Sequence, residues 1–222
     1  MKIILTGSTG FIGGEVLAQC LKNPAITSAV VLSRRSLSKE ISDPRLKVII
    51  MKDFTQYPDS VIKELAGADA CIWAMGSNAG DSVLEIDYPI AFAQAFASTL
   101  PVHKKKFRYL HVSGGLVEPD QEKPLWFLQN ARKVRGRAQT LLVDFPKQNE
   151  TGGLWETFIA RPAAVQPSSG VTAAVITCLL GKTMSIRADE LAVAMIDTVL
   201  NGTGSQIENN PELLERGRAL LK

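Results

Sequence analysis

The chain has 222 residues, 45% hydrophobic and 21% charged, which is the composition of an ordinary globule able to bury one sizeable core. A formal charge of +3 and a pI near 8.8 are too mild to argue for a nucleic-acid partner. The longest apolar stretch, Val171 to Leu180, is too short to span a bilayer, and the apolar run after Lys2 is too short for a secretory h-region, so no membrane partner is expected.

Ile3-Ile4-Leu5 is an unbroken apolar run, as in a parallel strand buried on both faces. Gly7, Gly10 and Gly13 follow, and the helical pattern Ile12, Val16, Leu17, Cys20, Leu21 starts among them. Strand, glycine turn and helix together present unpaired backbone N–H groups to an anion. Gly7 suits a tight turn, Gly10 a close pyrophosphate, and Gly13 close packing of helix on strand. Ser8, Thr9, Phe11 and Ile12 complete this candidate phosphate-binding stretch.

The stretch Thr6-Gly7-Ser8-Thr9-Gly10-Phe11-Ile12-Gly13, with its G-x-x-G-x-x-G spacing, resembles the extended and atypical short-chain dehydrogenases/reductases. The resemblance implies an NAD(P)-binding Rossmann fold, a doubly wound parallel sheet. It implies a small C-terminal substrate-capping region built from Gln166–Ser185. Residues 1–222 then form one domain, with 166–185 and 203–222 as small peripheral additions. A small-molecule substrate and a reducing, cytoplasmic setting fit the three cysteines, which sit in apolar runs and read as inert core thiols.

Ala29 to Leu32 is the second strand, after Pro24 ends the first helix. Ser33-Arg34-Arg35 follows at once. An acid at this strand end binds an adenosine ribose hydroxyl, whereas arginines accommodate a 2′-phosphate, so the cofactor reads as NADP(H). Leu46 to Met51 is the third strand, and relatives place an acid plus an apolar residue, here Asp53 and Phe54, on the adenine; Asp53 as a plain turn residue is equally open. Val61 to Leu65 is a short helix ended by Gly67. The fourth strand leaves through Ala74-Met75-Gly76, whose small residues allow phosphate and ribose to pass close by. Asp87 is a plausible N-cap for the helix bearing Ile90, Ala93, Phe96 and Leu100, which Pro101 ends. His103 to Lys106 reads as a solvated loop; His103 and His111 lack the spacing of a metal pair, and no metal is expected.

Phe107 to Val112 is the fifth strand, and Ser113 beyond it matches the active-site serine of the resembled superfamily. A helix is expected over Leu125–Leu142, followed by a surface connection over Val143–Gly153. Here relatives carry Tyr-x-x-x-Lys, one helical turn apart on a shared face; this chain has none. Aligned on the Lys-Gly step of atypical members, Arg135 stands at the lysine and Ala131 at the tyrosine. Arg135 can hold a ribose but is a poor acid or base, and Ala131 moves no proton, which leaves Tyr88 as the phenol to consider. Trp155 to Ala160 is the sixth strand; in relatives the backbone beyond it, here Pro162 and Ala163 after Arg161, flanks the nicotinamide. Val171 to Leu180 reads as a pocket lining or a core helix. The helix through Leu191, Ala194, Met195 and Val199 stops at Asn201-Gly202, and Asn210-Pro211-Glu212 caps a last helix. Two functions follow from the resemblance: an oxidoreductase acting on a small, rather apolar carbonyl or alkene without the usual phenol, or a binder of NADP(H) without turnover, like the NmrA-like members.

Overall fold

A computed structural model describes residues 1–37, 41–77, 79–100, 104–149, 151–169 and 184–222. The apolar run Val171–Leu180, His103 and Cys178 lie outside these residues. A seven-stranded parallel sheet runs in the order β3-β2-β1-β4-β5-β6-β9. Its strands are β1 (Lys2–Thr6), β2 (Ser28–Ser33), β3 (Leu46–Ile50), β4 (Ala70–Trp73), β5 (Phe107–Val112), β6 (Trp155–Arg161) and β9 (Ile207–Asn209). Strand order reverses between β1 and β4, where a doubly wound sheet opens a crevice beyond its strand ends. A small parallel pair, β7 (Ala164–Gln166) and β8 (Ser185–Arg187), lies beside it.

Both faces of the central strands β1, β2 and β4 are buried, which accounts for their unbroken apolar runs, whereas the edge strand β3 is largely exposed. On β1, Ile3 and Leu5 pack with helices α1 (Phe11–Lys22), α5 (Ala188–Asn201) and α6 (Asn210–Leu220), whereas Ile4 faces the opposite layer. That second layer holds α2 (Asp59–Leu65), α3 (Tyr88–Ala97) and α4 (Gln129–Gln148) over an aromatic cluster. There Phe96 and Phe107 lie 4.3 Å apart between ring centroids.

Several sequence expectations need correction. Helix α4 runs past Leu142 to Gln148, through Pro146, because Phe145 packs on Trp155 at 5.1 Å. Pro146 has no N–H for the Leu142 carbonyl, and the Thr157 hydroxyl donates to that carbonyl instead, at 3.0 Å. The same helix starts at Gln129, not Leu125, after Leu128 in a left-handed conformation (φ 46°). Asp87 caps nothing: it ends a π-helical turn (Val83–Asp87) continuous with α3. Asp81 does the capping, its Oδ1 accepting the Val83 and Leu84 amides. Within residues 203–222, β9 extends the main sheet and Leu213 is wholly buried. The last helix has Asn209, one residue earlier, at its N-cap position, with no side-chain cap bond.

Candidate functional site

The β1–α1 turn is shaped by backbone crowding. Gly7 has φ 73°, and a Cβ there would lie 2.3 Å from the Ala74 carbonyl oxygen. A Cβ on Gly13 would lie 2.3 Å from the Gly7 carbonyl oxygen, so helix α1 sits directly on the turn. Gly10 differs. Its nearest such contact is 3.2 Å, and the residue is exposed at the N-cap of a helix with no acid in its first turn. The positive end of α1 thus meets solvent through a glycine.

That turn forms one wall of an open crevice of about 480 Å³, lined by Gly7, Thr9, Gly10, Leu32, Ser33, Arg34, Arg35, Ala74, Met75 and Gly76. Ser33 is buried and its hydroxyl donates to the Arg35 carbonyl at 2.6 Å, folding the chain so that Arg34 and Arg35 stand exposed at the rim. Ser8 Oγ and Thr6 Oγ1 are buried at the turn without a hydrogen-bond partner among the described residues. Phe11 is exposed, while Ile12 packs on the core below.

The adenine expectations fare differently. Asp53 Oδ1 accepts the Thr55 amide at 2.8 Å and the Thr55 hydroxyl at 2.7 Å, which hold its carboxyl below the usual carboxylate range. Phe54 is wholly buried among Tyr57, Trp73 and Tyr88, so its ring offers no face to a nucleotide. Tyr88 is drawn the same way, 5.5 Å from Phe54 between centroids, and packs into the aromatic layer. Tyr88 is half-buried against that layer and, like Ser113 and Arg135, is not among the residues that line the crevice.

Behind Gly76, where the crevice lining ends, the β4 exit, β5 and α4 meet around Arg135. Ser113 continues β5, its amide bonded to the Ala160 carbonyl at 2.8 Å, and its Oγ is buried without a partner among the described residues. Two residues back, His111 is wholly buried, with Nδ1 3.3 Å from the Tyr109 hydroxyl. Burial, and secondarily the Arg135 cation, push its imidazole down to about 3, so it is neutral. Arg135 crosses from α4 to the β4 exit, where Nη2 donates to the Ser77 carbonyl at 2.8 Å and Nε to Glu85 at 3.3 Å. A Cβ on Gly114 would lie 3.5 Å from Arg135 Nη1, so the guanidinium also borders the end of β5. Pro162 and Ala163 flank this end through backbone already engaged: the Pro162 carbonyl accepts from Gly115, and the Ala163 amide donates to Asn210.

Two residues escaped the sequence reading. Gly80 (φ 73°) lies so close to α4 that a Cβ on it would be 2.6 Å from Ala131 Cα, and Asn130 donates to its carbonyl at 3.3 Å. The place beside residue 131 is therefore taken by the β4 exit loop. Glu85, only 2% exposed, is the buried counter-charge of Arg135. Its sequence signal is an arginine in a lysine's place, which calls for a carboxylate somewhere.

No family model matches the chain. It is 32% identical over 119 residues to leucinostatins biosynthesis cluster protein T of Purpureocillium lilacinum, covering 51% of this chain and 42% of that protein. The chain spans less than half the length of the curated relatives it matches. dTDP-glucose 4,6-dehydratase from Bacillus anthracis, in complex with NAD, superposes with a TM-score of 0.67 at 14% identity, over all of this chain and 81% of that one. Gre2 from Candida albicans, in complex with NADPH, gives 0.67 at 16% identity, over 92% and 76%. Other structural neighbours are described as an oxidoreductase from Lactococcus lactis and a putative epimerase from Bacteroides thetaiotaomicron, and this chain shares the Rossmann-like fold of all four.

Proposed function

We propose that the protein binds NADP(H) in the crevice between the ends of β1 and β4 and is an oxidoreductase for a small, rather apolar carbonyl or alkene. The observation that carries the reading is a crevice walled by the β1–α1 glycine turn and rimmed by Arg34 and Arg35, together with the buried, unpartnered hydroxyl of Ser113 at the end of β5, next to the Gly114 that Arg135 borders. A buried hydroxyl without a partner is costly unless a ligand completes it. The residues fit the cofactor: Gly7 and Gly13 keep the turn tight, exposed Gly10 lets a pyrophosphate approach the helix N-terminus, and Arg34 and Arg35 suit a 2′-phosphate. When bound, NADP(H) would supply or accept a hydride. Ser113 would bond the substrate oxygen, Arg135 would stabilise the negative charge that develops on it without releasing a proton, and solvent entering the open crevice would supply the proton that completes reduction. Similarity to a biosynthesis-cluster protein agrees with a small-molecule substrate.

The packing of Gly80 on Ala131 favours a second reading, binding without turnover, because no phenol stands where relatives of this type carry one. Titration with NADPH and NADH, followed by NADPH oxidation against a panel of carbonyls and activated alkenes, separates the two. The oxidoreductase reading expects NADPH preferred by roughly tenfold to hundredfold, the preference lost in Arg34→Ala/Arg35→Ala, and turnover lost in Ser113→Ala. Tight NADPH binding with no oxidation of any compound selects the binder. Equal affinity for the two cofactors refutes the 2′-phosphate assignment.

A further inference from the structure

Glu85 is a charged side chain buried at the crevice that neither reading uses. It lies on the π-helical turn Val83–Asp87, a widened turn of the kind that often marks functional positions. A Cβ on Gly76 would be 3.2 and 3.3 Å from its two oxygens, so the carboxylate lies directly behind a residue that lines the crevice. Glu85 Oε1 accepts the Ser77 amide at 2.6 Å and Arg135 Nε at 3.3 Å, and Arg135 Nη2 returns to the Ser77 carbonyl at 2.8 Å. These three bonds close a ring that fixes the plane of the guanidinium.

We propose that Glu85 is the positioning residue for Arg135, setting its guanidinium across the nicotinamide end of the crevice, between Ser77 and Gly114, before the cofactor arrives. The inference rests on the NADP(H) reading and adds to it a residue outside the resemblance. An unrestrained arginine loses much rotamer freedom on binding, and a buried carboxylate that fixes it beforehand removes that cost from the binding step. The ring also explains arginine over lysine here: only a planar fork bonds a carboxylate through Nε and a carbonyl through Nη2 at once. Glu85 touches no substrate in this role. It acts through Arg135.

The test compares two ligands that share the adenosine half, 2′,5′-ADP and NADPH, by calorimetric titration of wild type, Glu85→Ala, Glu85→Gln, Arg135→Ala and Glu85→Ala/Arg135→Ala. Glu85→Ala should weaken NADPH about tenfold and leave 2′,5′-ADP within about twofold, because only the longer ligand reaches Arg135. The double variant should bind NADPH no more weakly than Arg135→Ala alone, since the two residues act as one unit. Glu85→Gln keeps an acceptor for Ser77 and Arg135 but not the charge, and should weaken NADPH about threefold. If Glu85→Ala gives no cooperative melt, the Gln variant decides by the same contrast between ligands. Equal weakening of both ligands, or losses that multiply in the double variant, overturns the proposal. Failure of wild type to bind 2′,5′-ADP overturns the cofactor reading itself, and this inference with it.

Discussion

The two ends of the crevice are built by different means. The end we propose for adenosine is local: the β1–α1 turn and the β2 exit supply Gly7, Gly10, Gly13, Ser33, Arg34 and Arg35 from the first 35 residues, largely through backbone. The end we propose for the nicotinamide is not. Its defining contacts, Arg135 to Glu85, Arg135 to Ser77 and Asn130 to Gly80, join residues 50 to 58 apart in the chain. Crowding of backbone against backbone admits only glycine, and so marks the sequence. An ion pair across two helices leaves two ordinary charged residues with nothing to connect them.

The largest contrast should come from Gly10→Glu. A Cβ on Gly10 asks the Gly7 carbonyl to give by only a few tenths of an ångström, so the fold should survive, but the new carboxylate stands at the helix N-cap where we propose that the pyrophosphate binds. NADPH affinity should fall at least about hundredfold with a melting temperature within a few degrees of wild type. Gly7→Ala should instead lose stability and binding together, since its Cβ would meet the Ala74 carbonyl at 2.3 Å in a left-handed conformation. Unaltered NADPH titration of Gly10→Glu would remove the turn from the binding site.

Ala131→Tyr probes the other end. Sequence resemblance alone suggests that restoring the phenol, with Arg135→Lys, raises turnover. The structure argues the reverse: Ala131 is 7% exposed and Gly80 rests on it, so a tyrosine must displace the β4 exit loop. Overpacking of this kind should cost toward the upper end of roughly 1–3 kcal/mol. Arg135→Lys also breaks the two-point bond to Glu85 and Ser77. Denaturant melts and carbonyl reduction by the double variant check this; a stable, more active protein would mean that Gly80 is not fixed against α4.

The fold was legible because both buried faces demand continuous apolar strands; Phe107–Val112 is β5 to the residue. Where the reading went astray, tertiary contact had replaced a local rule. Pro146 stays inside α4 because Thr157, on a strand, takes up the stranded Leu142 carbonyl. Asp87 looks like an N-cap because Tyr88-Pro89 follows it, yet the helix had already begun at the Asp81 cap. Phe54 has the position of an adenine contact but joins Trp73 and Tyr88 in the core, a choice that depends on aromatic residues from two other elements. Glu85 escaped for the same reason as the rest of its end: its partner lies 50 residues away.

The smallest expected effect is a pH dependence confined to the nicotinamide end. His111 is wholly buried beneath it, its imidazole held down to about 3 by burial and then by Arg135, whereas in the unfolded chain it titrates near 6.5. Between those values the unfolded chain binds a proton that the folded one refuses, so stability rises with pH through that window and is lost as pH falls. From pH 7 to pH 5 this group should remove roughly 2 kcal/mol. Asp53, held low by Thr55, loses its contribution only in more acid solution. His111→Gln retains a partner for the Tyr109 hydroxyl and abolishes the titration. Urea melts of wild type and His111→Gln at the two pH values isolate the contribution as the difference between their pH slopes. A matching slope in both proteins would mean that the imidazole takes up its proton without unfolding, and that the nicotinamide end admits water as readily as the adenosine end does.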